Sequence, residues 1–340
     1  MNEPVSPYVL SNQNSPAFWL INNLWMPLAG SYLTNGNVCF IEQIGSVGGL
    51  CTHAHSSDEG IYVLEGQCTF NVGGKTFKAG PGTFVSIPRL VEHSYTIDVP
   101  NSRLLNWYTP GGFEMLLMSI ATPAAVRKLP EPNSLALPPR WMVQECSREF
   151  GQIPVLGLPF ADAPTKDTMA TRPSELNPAK PYAVEAKHLA SYWYLGTLWT
   201  ILASVEQTGG SYSVIEEVGS MGSGPTPHMH EQDEVLYVIE GQITLIAGSL
   251  KATAQAGSLA YIPAHCVHSF RIDIDKTRLL NFYFPGGFEK IISQFGIPAE
   301  SKTLPPTDLR GSETPEQVKA LLQRIGMTMI ALPDILRKAQ

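Results

Sequence analysis

The sequence predicts an all-β protein made of two copies of one domain, each a β-sandwich or a β-barrel. The first reason is a repeat: His53-Ala-His55-Ser-Ser-Asp-Glu59 reappears as His228-Met-His230-Glu-Gln-Asp-Glu234, at an offset of 228 − 53 = 175 residues. The second reason is that each copy consists of short apolar runs punctuated by glycine and proline. We therefore predict domains over 1–120 and 186–340, joined by a connector over 121–185.

The strands of each copy are predicted where apolar runs end at turn residues. Cys68–Val72 alternates in polarity and stops at Gly73-Gly74, which favours a hairpin. The remaining predicted strands are Ile61–Leu64, Thr83–Ile87 and Val235–Ile239. A short helix is predicted over Phe113–Ile120, and its repeat over Phe288–Phe295.

The connector and the C-terminus have their own signals. Ser119–Pro181 contains eleven prolines in 63 residues, together with apolar and aromatic clusters. Because pure linkers are polar, we expect this segment to pack on the domains as an ordered loop system or a lid. Near the end, Thr314-Pro315-Glu316-Gln317 is typical of a capping box. A terminal helix is predicted there, with Val318, Leu321, Leu322 and Ile325 on one face and its end at Gly326.

Composition excludes several classes of function. The net charge of −7 and the lack of a Lys/Arg-rich run argue against a nucleic-acid or anionic-membrane binder. A mean hydropathy of −0.01 with 44% apolar residues excludes disorder for most of the chain. The first twenty residues lack a signal-peptide pattern, and no stretch is long and apolar enough for a membrane span. The five cysteines are an odd number and form no CxxC pair, which argues against a disulfide framework. A cytoplasmic protein is expected, and the low charged fraction of 16% favours one that covers much of its surface, for example in a homodimer.

Six of the eight histidines belong to the two copies of one pattern. His53 and His55 are two residues apart, so on a strand both side chains point to the same face. Glu59 can return to that face after a turn, and His93 arrives from a later strand. Three imidazoles and a carboxylate inside a barrel form a typical site for a first-row divalent metal. The predicted ligands are His53, His55, Glu59 and His93 in the first copy and His228, His230, Glu234 and His268 in the second.

The competing interpretation is that these histidines line a barrel and bond only to one another. A single H-x-H pair would favour that interpretation. The same three histidines and glutamate in identical register in both copies argue against it.

The ligand pattern resembles the two sequence motifs of the cupin superfamily. The first copy reads His53-x-His55-x3-Glu59-x6-Gly66 and then Gly82-x5-Pro88-x4-His93. The second copy reads His228-x-His230-x3-Glu234-x6-Gly241 and then Gly257-x5-Pro263-x4-His268. Two positions depart from the pattern. The usual glycine after the proline is replaced by Leu90 in the first copy and His265 in the second, and the usual asparagine beyond the last histidine is replaced by Ile97 and Ile272. None of these four is a predicted ligand.

The resemblance implies a double-stranded β-helix (jelly-roll) barrel with short flanking helices in each half, hence a bicupin. The repeated Arg-Leu-Leu-Asn-x-Tyr-x-Pro-Gly-Gly-Phe-Glu is most similar to bacterial-type quercetin 2,3-dioxygenase relatives. That similarity implies a metal-dependent dioxygenase acting with O2 on a flavonol-like or polyketide-like enolic aromatic ring. Glu59 and Glu234 would be the catalytic bases that accept the enol proton. One divalent transition metal is expected per domain, iron first, with Mn, Co, Ni, Cu or Zn as alternatives.

Two other classes of function stay open. A non-oxidative bicupin (isomerase, cyclase or decarboxylase) would use the metal only as a Lewis acid, and a non-catalytic bicupin would only bind a ligand. If one site is catalytic, the N-terminal site is expected, because the Pro-rich segment could fold over it.

Residues around the sites are expected to be structural. Arg103 and Arg278 are predicted to form salt bridges or caps, Cys51 and Cys266 to be core thiols, and His188 and His265 to be structural. Ten aromatic residues are expected in core packing, with some of them stacking on a planar substrate. They are Trp19, Trp25, Tyr32, Trp107, Tyr108, Phe113, Trp193, Trp199, Phe282 and Phe288.

Overall fold

The computed structural model describes residues 5–132, 134–154, 179–306, 320, 323–324 and 326–330. They form two compact units: Asn12–Ala186, and Met1–Ser11 together with Lys187–Gln340. Tyr8–Ser11 belongs to the second of these units because the first strand, β1 (Tyr8–Ser11), pairs with a strand of that unit, with Tyr8 opposite Tyr261. The domain boundaries at 120 and 185 stay predictions.

The N-terminal unit is an antiparallel β-barrel of two sheets. Its strands are β2 (Phe18–Leu20), β3 (Asn23–Ala29), β4 (Cys39–Gly45), β5 (Gly48–Gly49), β6 (His53–His55), β7 (Asp58–Glu65), β8 (Cys68–Val72), β9 (Lys75–Ala79), β10 (Thr83–Ile87), β11 (His93–Ile97), β12 (Ser102–Thr109), β13 (Thr122–Pro123), β14 (Gln152–Pro154) and β15 (Tyr182–Glu185). One sheet has the order β13-β2-β3-β4-β12-β7-β10-β15, and the other has the order β14-β6-β11-β8-β9, with β5 beside β11.

The C-terminal unit repeats this barrel. Its further strands are β16 (Ser191–Tyr194), β17 (Thr197–Ala203), β18 (Ser213–Gly219), β19 (His228–Met229), β20 (Asp233–Glu240), β21 (Gln242–Ala247), β22 (Leu250–Gln255), β23 (Ser258–Ile262), β24 (His268–Ile272), β25 (Thr277–Phe284), β26 (Ile297–Pro298) and β27 (Thr328–Met329). The sheet orders are β1-β23-β20-β25-β18-β17-β16-β26 and β22-β21-β24-β19-β27. The predicted all-β architecture of two tandem barrels is thereby confirmed.

The core of each barrel lies between its two sheets. In β8 the period-two pattern buries Cys68, Phe70 and Val72 on one face, where they meet Ile61 and Val63 of β7. The second barrel has the equivalent cluster around Leu236, Val238, Ile243 and Leu245. The predicted strands therefore form because alternate residues can be buried together, and the two sheets hold the histidine-bearing strands in fixed positions.

Helices are few in the described part of the chain, and none there is long and apolar enough to cross a membrane. Those described over their full length are α1 (Phe113–Ile120), α2 (Arg140–Glu149) and α3 (Glu289–Phe295), with 3-10 turns at Ser31–Leu33 and Ala186–His188. The first has the predicted bounds, and the third begins one residue later than predicted because Phe288 is its N-cap.

The connector is more regular than the predicted loop system, since it contains α2, β14 and β15. The repeat explains this, because the 175-residue offset carries 140–149 onto 315–324 and Gly151 onto Gly326. Both glycines have positive φ, 70° and 71°. Residues 320, 323 and 324 are helical, as the predicted terminal helix requires. Its apolar face, Val318, Leu321, Leu322 and Ile325, lies outside the described residues.

Candidate metal centres

Each barrel brings three histidines and one glutamate together. In the C-terminal barrel, ligand atoms of His228, His230, Glu234 and His268 all lie within 4.8 Å of one another, and we call these residues the second cluster. In the N-terminal barrel, ligand atoms of His53, His55 and His93 also lie within 4.8 Å of one another. There Glu59 Oε2 lies 3.1 Å from Nε2 of both His55 and His93, and these four residues are the first cluster.

Strand pairing explains why the clusters form. His53 and His55 lie on β6, and His53 is directly opposite His93, the first residue of β11. In the second barrel, His228 of β19 is opposite His268 of β24 in the same way. The glutamates come from β7 and β20 of the other sheet, so each cluster closes across the barrel interior.

All six histidines are oriented by backbone carbonyls two residues away. Each Nδ1 lies within hydrogen-bond distance of one carbonyl oxygen, at 2.7–2.9 Å. A carbonyl oxygen only accepts, so each Nδ1 carries the proton and donates it, which leaves the Nε2 lone pair facing the centre of the cluster. The accepting carbonyls belong to Cys51, Ser57, Val91, Thr226, Gln232 and Cys266.

The centre of each cluster needs a cation. His93 Nε2 and His268 Nε2 are buried without a hydrogen-bond partner, although Glu59 Oε2 and Glu234 Oε2 lie 3.1 and 2.8 Å away. A nitrogen lone pair facing a carboxylate oxygen at this distance is repulsive unless a positive charge lies between them. Three neutral imidazoles with a carboxylate are a donor set that suits first-row divalent ions. The residues therefore fit one metal ion per cluster.

At His53, His228 and Glu59, electrostatics favours the protonation states that a metal requires, whereas at His268 the contact with Glu234 outweighs burial and raises the pKa. Burial, and then the neighbouring His93 and His55, lower the pKa of His53 to about 3. Burial followed by the charge of His268 lowers the pKa of His228 to about 4. Burial alone would raise the pKa of Glu59, but without a metal the hydrogen bonds and positive charge that His55 and His93 offer when protonated outweigh it and hold that pKa below its ordinary value. Both histidines are thus neutral and Glu59 is ionised at neutral pH.

A tyrosine contacts the glutamate of each cluster. Tyr283 Oη donates to Glu234 Oε1 at 3.2 Å, and Tyr108 is the hydrogen-bond partner of Glu59. Both contacts follow from pairing, because Tyr108 is opposite Glu59 and Tyr283 is opposite Glu234 on adjacent strands. Each tyrosine ring stacks on an aromatic residue of the following segment, with ring centroids 4.4 and 4.1 Å apart. The repeated Asn-x-Tyr indicated these residues, but not their hydroxyl contacts.

The two departures at the proline turn have a structural explanation. Leu90 and His265 have φ of 65° and 63°, the left-handed region where glycine is favoured. Their backbone N–H groups donate to the carbonyls of His55 and His230, at 2.8 and 2.7 Å. This turn therefore fixes the position of a cluster histidine, and it does so without glycine.

A cavity of about 260 Å³ opens onto the second cluster. His228 and Glu234 line it, and most of its remaining wall is apolar or aromatic, including Trp199 and Phe288. The acidic or basic side chains among its described lining residues are His228, Glu234 and Glu217. It can therefore receive an uncharged, largely apolar molecule beside the candidate ligands.

The aromatic residues singled out from the sequence divide between this cavity, the first cluster and the core. Trp199 and Phe288 line the cavity. Tyr108 contacts the first cluster, with its ring centroid 5.4 Å from that of His55. Tyr32 lies in neither place, because it is 58% exposed. The other six pack within the barrels or bond to backbone carbonyls, and they are Trp19, Trp25, Trp107, Phe113, Trp193 and Phe282.

The side chains of the arginines, cysteines and remaining histidines singled out from the sequence are not part of either cluster, although backbone groups of Cys51, Cys266 and His265 bond to cluster histidines. Arg103 forms a salt bridge with buried Glu42 at 2.7 Å, and Arg278 pairs with Glu216 at 3.0 Å, as predicted. Cys51 and Cys266 are partly buried free thiols whose pKa is raised by burial. His188 and His265 are exposed.

Comparisons with known proteins agree with this description. The cupin domain family model matches residues 42–102 and 215–282. A curated relative, quercetin 2,3-dioxygenase of Bacillus subtilis (strain 168), is 27% identical over 279 residues, which are 79% of this chain and 80% of the relative. Among solved structures, Bacillus subtilis oxalate decarboxylase with Mn(II) centres matches with a TM-score of 0.57 at 16% identity, covering 84% of this chain and 78% of that one. A structure of the Bacillus subtilis decarboxylase at pH 4.6 matches with a TM-score of 0.56 at 16% identity, covering 84% and 78%.

Proposed function

Since the chain is a bicupin with one His/Glu cluster in each barrel, we propose that it is a metal-dependent dioxygenase that cleaves an enolic aromatic ring with O2. The substrate class is a flavonol such as quercetin or a polyketide-like enol. The observation that carries the proposal is the cluster whose histidine Nε2 atoms converge beside an apolar cavity. The curated relative named quercetin 2,3-dioxygenase supports the oxidative reaction over other cupin chemistry.

The metal would be held by Nε2 of the three histidines and a carboxylate oxygen of the glutamate in each cluster. A bound divalent ion supplies Lewis acidity toward an enol oxygen and, if it is redox-active, a partner for dioxygen. Iron remains the first expectation for its identity. The predicted homodimer and cytoplasmic location also remain predictions.

The protein's own groups would handle the proton and exclude water. Glu234 in the second cluster, or Glu59 in the first, accepts the proton of the enol hydroxyl. The hydroxyl of Tyr283 donates to the Glu234 oxygen that faces away from the histidines, and so orients the carboxylate. The apolar wall around Trp199 and Phe288 excludes water from the site.

The overall reaction balances without another oxidant or reductant. A flavonol and one O2 molecule give a carboxylic ester and one molecule of carbon monoxide. Both oxygen atoms of O2 are retained among these products. No external electron donor is therefore expected in the assay.

The lining of the cavity argues against a small dianionic substrate such as oxalate. No lysine or arginine stands among the described residues of its wall. Burying a dianion there without a paired cation other than the metal would be costly. The likeness to oxalate decarboxylase structures therefore supports the fold and not that substrate.

The test is an oxygen-electrode assay with quercetin and metal-loaded protein, coupled to detection of carbon monoxide. We expect O2 uptake and CO release in a ratio of about one to one, as the balance above requires. The matched control is the protein with alanine at both His228 and His230. No O2 uptake across a panel of enolic aromatics would contradict the proposal, and substrate turnover without O2 uptake would indicate a non-oxidative enzyme.

A further inference from the structure

The wall of the C-terminal cavity contains a polar pair that the proposed reaction does not use. Glu217 lies on β18 and Asn281 on β25, and their side chains are 1% and 0% exposed. Asn281 Nδ2 donates to Glu217 Oε2 at 2.9 Å. Both residues line the cavity that also holds His228 and Glu234.

The contact fixes which end of the Asn281 amide is available. Because Nδ2 is held by Glu217, Oδ1 is left as the free end, and this buried oxygen has no hydrogen-bond partner within the described chain. A buried acceptor without a donor is costly, so its presence on a cavity wall indicates a donor that arrives with a ligand. A hydroxyl group on an otherwise apolar ligand supplies that donor.

The N-terminal barrel differs at the equivalent positions. Glu217 is replaced by Gln43, whose Oε1 accepts a hydrogen bond from Tyr95 Oη at 2.7 Å. In the C-terminal barrel the residue at the position of Tyr95 is Phe270, which lines the cavity and has no hydroxyl. The donor that Tyr95 gives to Gln43 in the N-terminal barrel is therefore missing beside Glu217.

Glu217 is also an unusual group for such a wall. Burial, with the nearby charge of Glu234 as a further cause, raises its pKa to about 8. Its other hydrogen-bond neighbour is Thr197 on β17. The carboxyl is therefore largely neutral at pH 7, which suits an uncharged ligand and keeps a second negative charge away from Glu234.

We propose that Asn281 binds a hydroxyl group of the substrate through Oδ1, and that Glu217 is the positioning residue that presents this oxygen to the cavity. The proposal rests on the proposed function and makes the C-terminal barrel the one that holds substrate, in place of the N-terminal site expected from the Pro-rich connector. The connector strand β14 does pair with β6, but β27 pairs with β19 in the same way, so a covering strand does not distinguish the two barrels.

The test measures binding of two probes to the metal-loaded protein without oxygen. Quercetin carries hydroxyl groups and flavone carries none, so their affinity ratio reports hydroxyl recognition. Asn281→Leu is expected to lower the affinity for quercetin about ten-fold, since this corresponds to the loss of one neutral hydrogen bond. The affinity for flavone should stay unchanged.

The matched control is Asn106→Leu, at the equivalent position of the N-terminal barrel. Asn106 Oδ1 is also buried without a partner in the described chain, but Asn106 does not line the cavity beside the second cluster. The control variant should therefore change neither affinity. It separates loss of a buried amide as such from loss of a contact with the ligand.

Variants of Glu217 separate positioning from packing. Glu217→Gln keeps an oxygen that can accept from Asn281 Nδ2, so it should retain the quercetin preference. Glu217→Leu removes that acceptor and should lower the preference as Asn281→Leu does, while thermal melting and metal content show that the variant is folded.

The outcomes distinguish this inference from the proposed function. O2 uptake with quercetin together with an unchanged affinity and KM in Asn281→Leu would overturn the inference and leave the function standing. Hydroxyl-dependent binding without O2 uptake would overturn the function and leave the inference standing. Binding of neither probe to the wild-type protein, or an equal loss in Asn106→Leu, would also overturn the inference.

Discussion

Glu217→Gln should remove a pH dependence from the stability of the metal-free protein. The pKa of Glu217 is raised to about 8 in the folded state, against an ordinary value of 4.5. Between these values the folded chain keeps the proton and the unfolded chain has lost it, so wild-type stability falls as pH rises through this window. The neutral amide has no such dependence.

The magnitude follows from the two pKa values. Each pH unit between 4.5 and 8 costs the wild-type protein about 1.4 kcal/mol through this one group. The variant should therefore gain about 3 kcal/mol relative to wild type between pH 5.5 and pH 7.5. Burial and the charge of Glu234 raise this pKa, whereas the hydrogen bonds with Asn281 and Thr197 lower it, and the variant leaves all of these surroundings in place.

The assay is urea denaturation of EDTA-treated protein at several pH values, followed by tryptophan fluorescence. Glu240→Gln, a change at an exposed position, is the control and should run parallel to wild type. A free-energy difference between Glu217→Gln and wild type that stays constant from pH 5.5 to pH 7.5 would refute the reasoning. It would mean that Glu217 is ionised when folded, like an exposed glutamate.

Three further predictions concern the clusters and their supports. Alanine at both histidines of either H-x-H motif should remove about one metal ion per chain by elemental analysis, and a variant that keeps two would show that the ligand assignment is wrong. His265→Gly should raise the free energy of unfolding, measured by urea denaturation, by about 0.5 kcal/mol, because a φ of 63° is strained for histidine and not for glycine. A fall in the free energy of unfolding by more than about 1 kcal/mol would contradict this. Arg103→Met should lower the free energy of unfolding by about 3 kcal/mol, because Glu42 is 0% exposed and would lose the cation that pairs with it. A decrease of less than about 1 kcal/mol in denaturant unfolding would contradict this.

The residues of the clusters could be predicted because their signal is local and doubled. Histidines two apart on a strand share a face whatever the fold, and the 175-residue offset repeats the whole set. The strands at Cys68–Val72 and Thr83–Ile87 were equally predictable, since period two and flanking turns mark them directly. Positions that depend on local pattern can therefore be predicted from the sequence alone.

Contacts across strands could not be predicted in the same way. The hydrogen bond from Tyr283 to Glu234 joins residues 49 apart, and it requires the register of β20 against β25. The pairing of the edge strands, β1 with β23 and β15 with β10, likewise depends on topology that no local pattern encodes.

Glu217 could not be identified from the repeat for a more specific reason. Its equivalent, Gln43, is 174 residues earlier and not 175, because the loop before the H-x-H motif is one residue longer in the second copy. The ungapped repeat therefore does not align the two residues. Their correspondence appears only when both are seen opposite equivalent neighbours, Leu104 and Leu279, which do keep the 175-residue offset.

The metal centres are tested most directly by anomalous X-ray scattering from crystals of the metal-loaded protein. We predict two peaks per chain, one in each cluster, bonded to Nε2 of the three histidines and to one glutamate oxygen. A peak bonded through Nδ1, or clusters without any peak in fully loaded protein, would contradict this assignment, because the proposed roles of Glu234 and Tyr283 depend on a metal at that place.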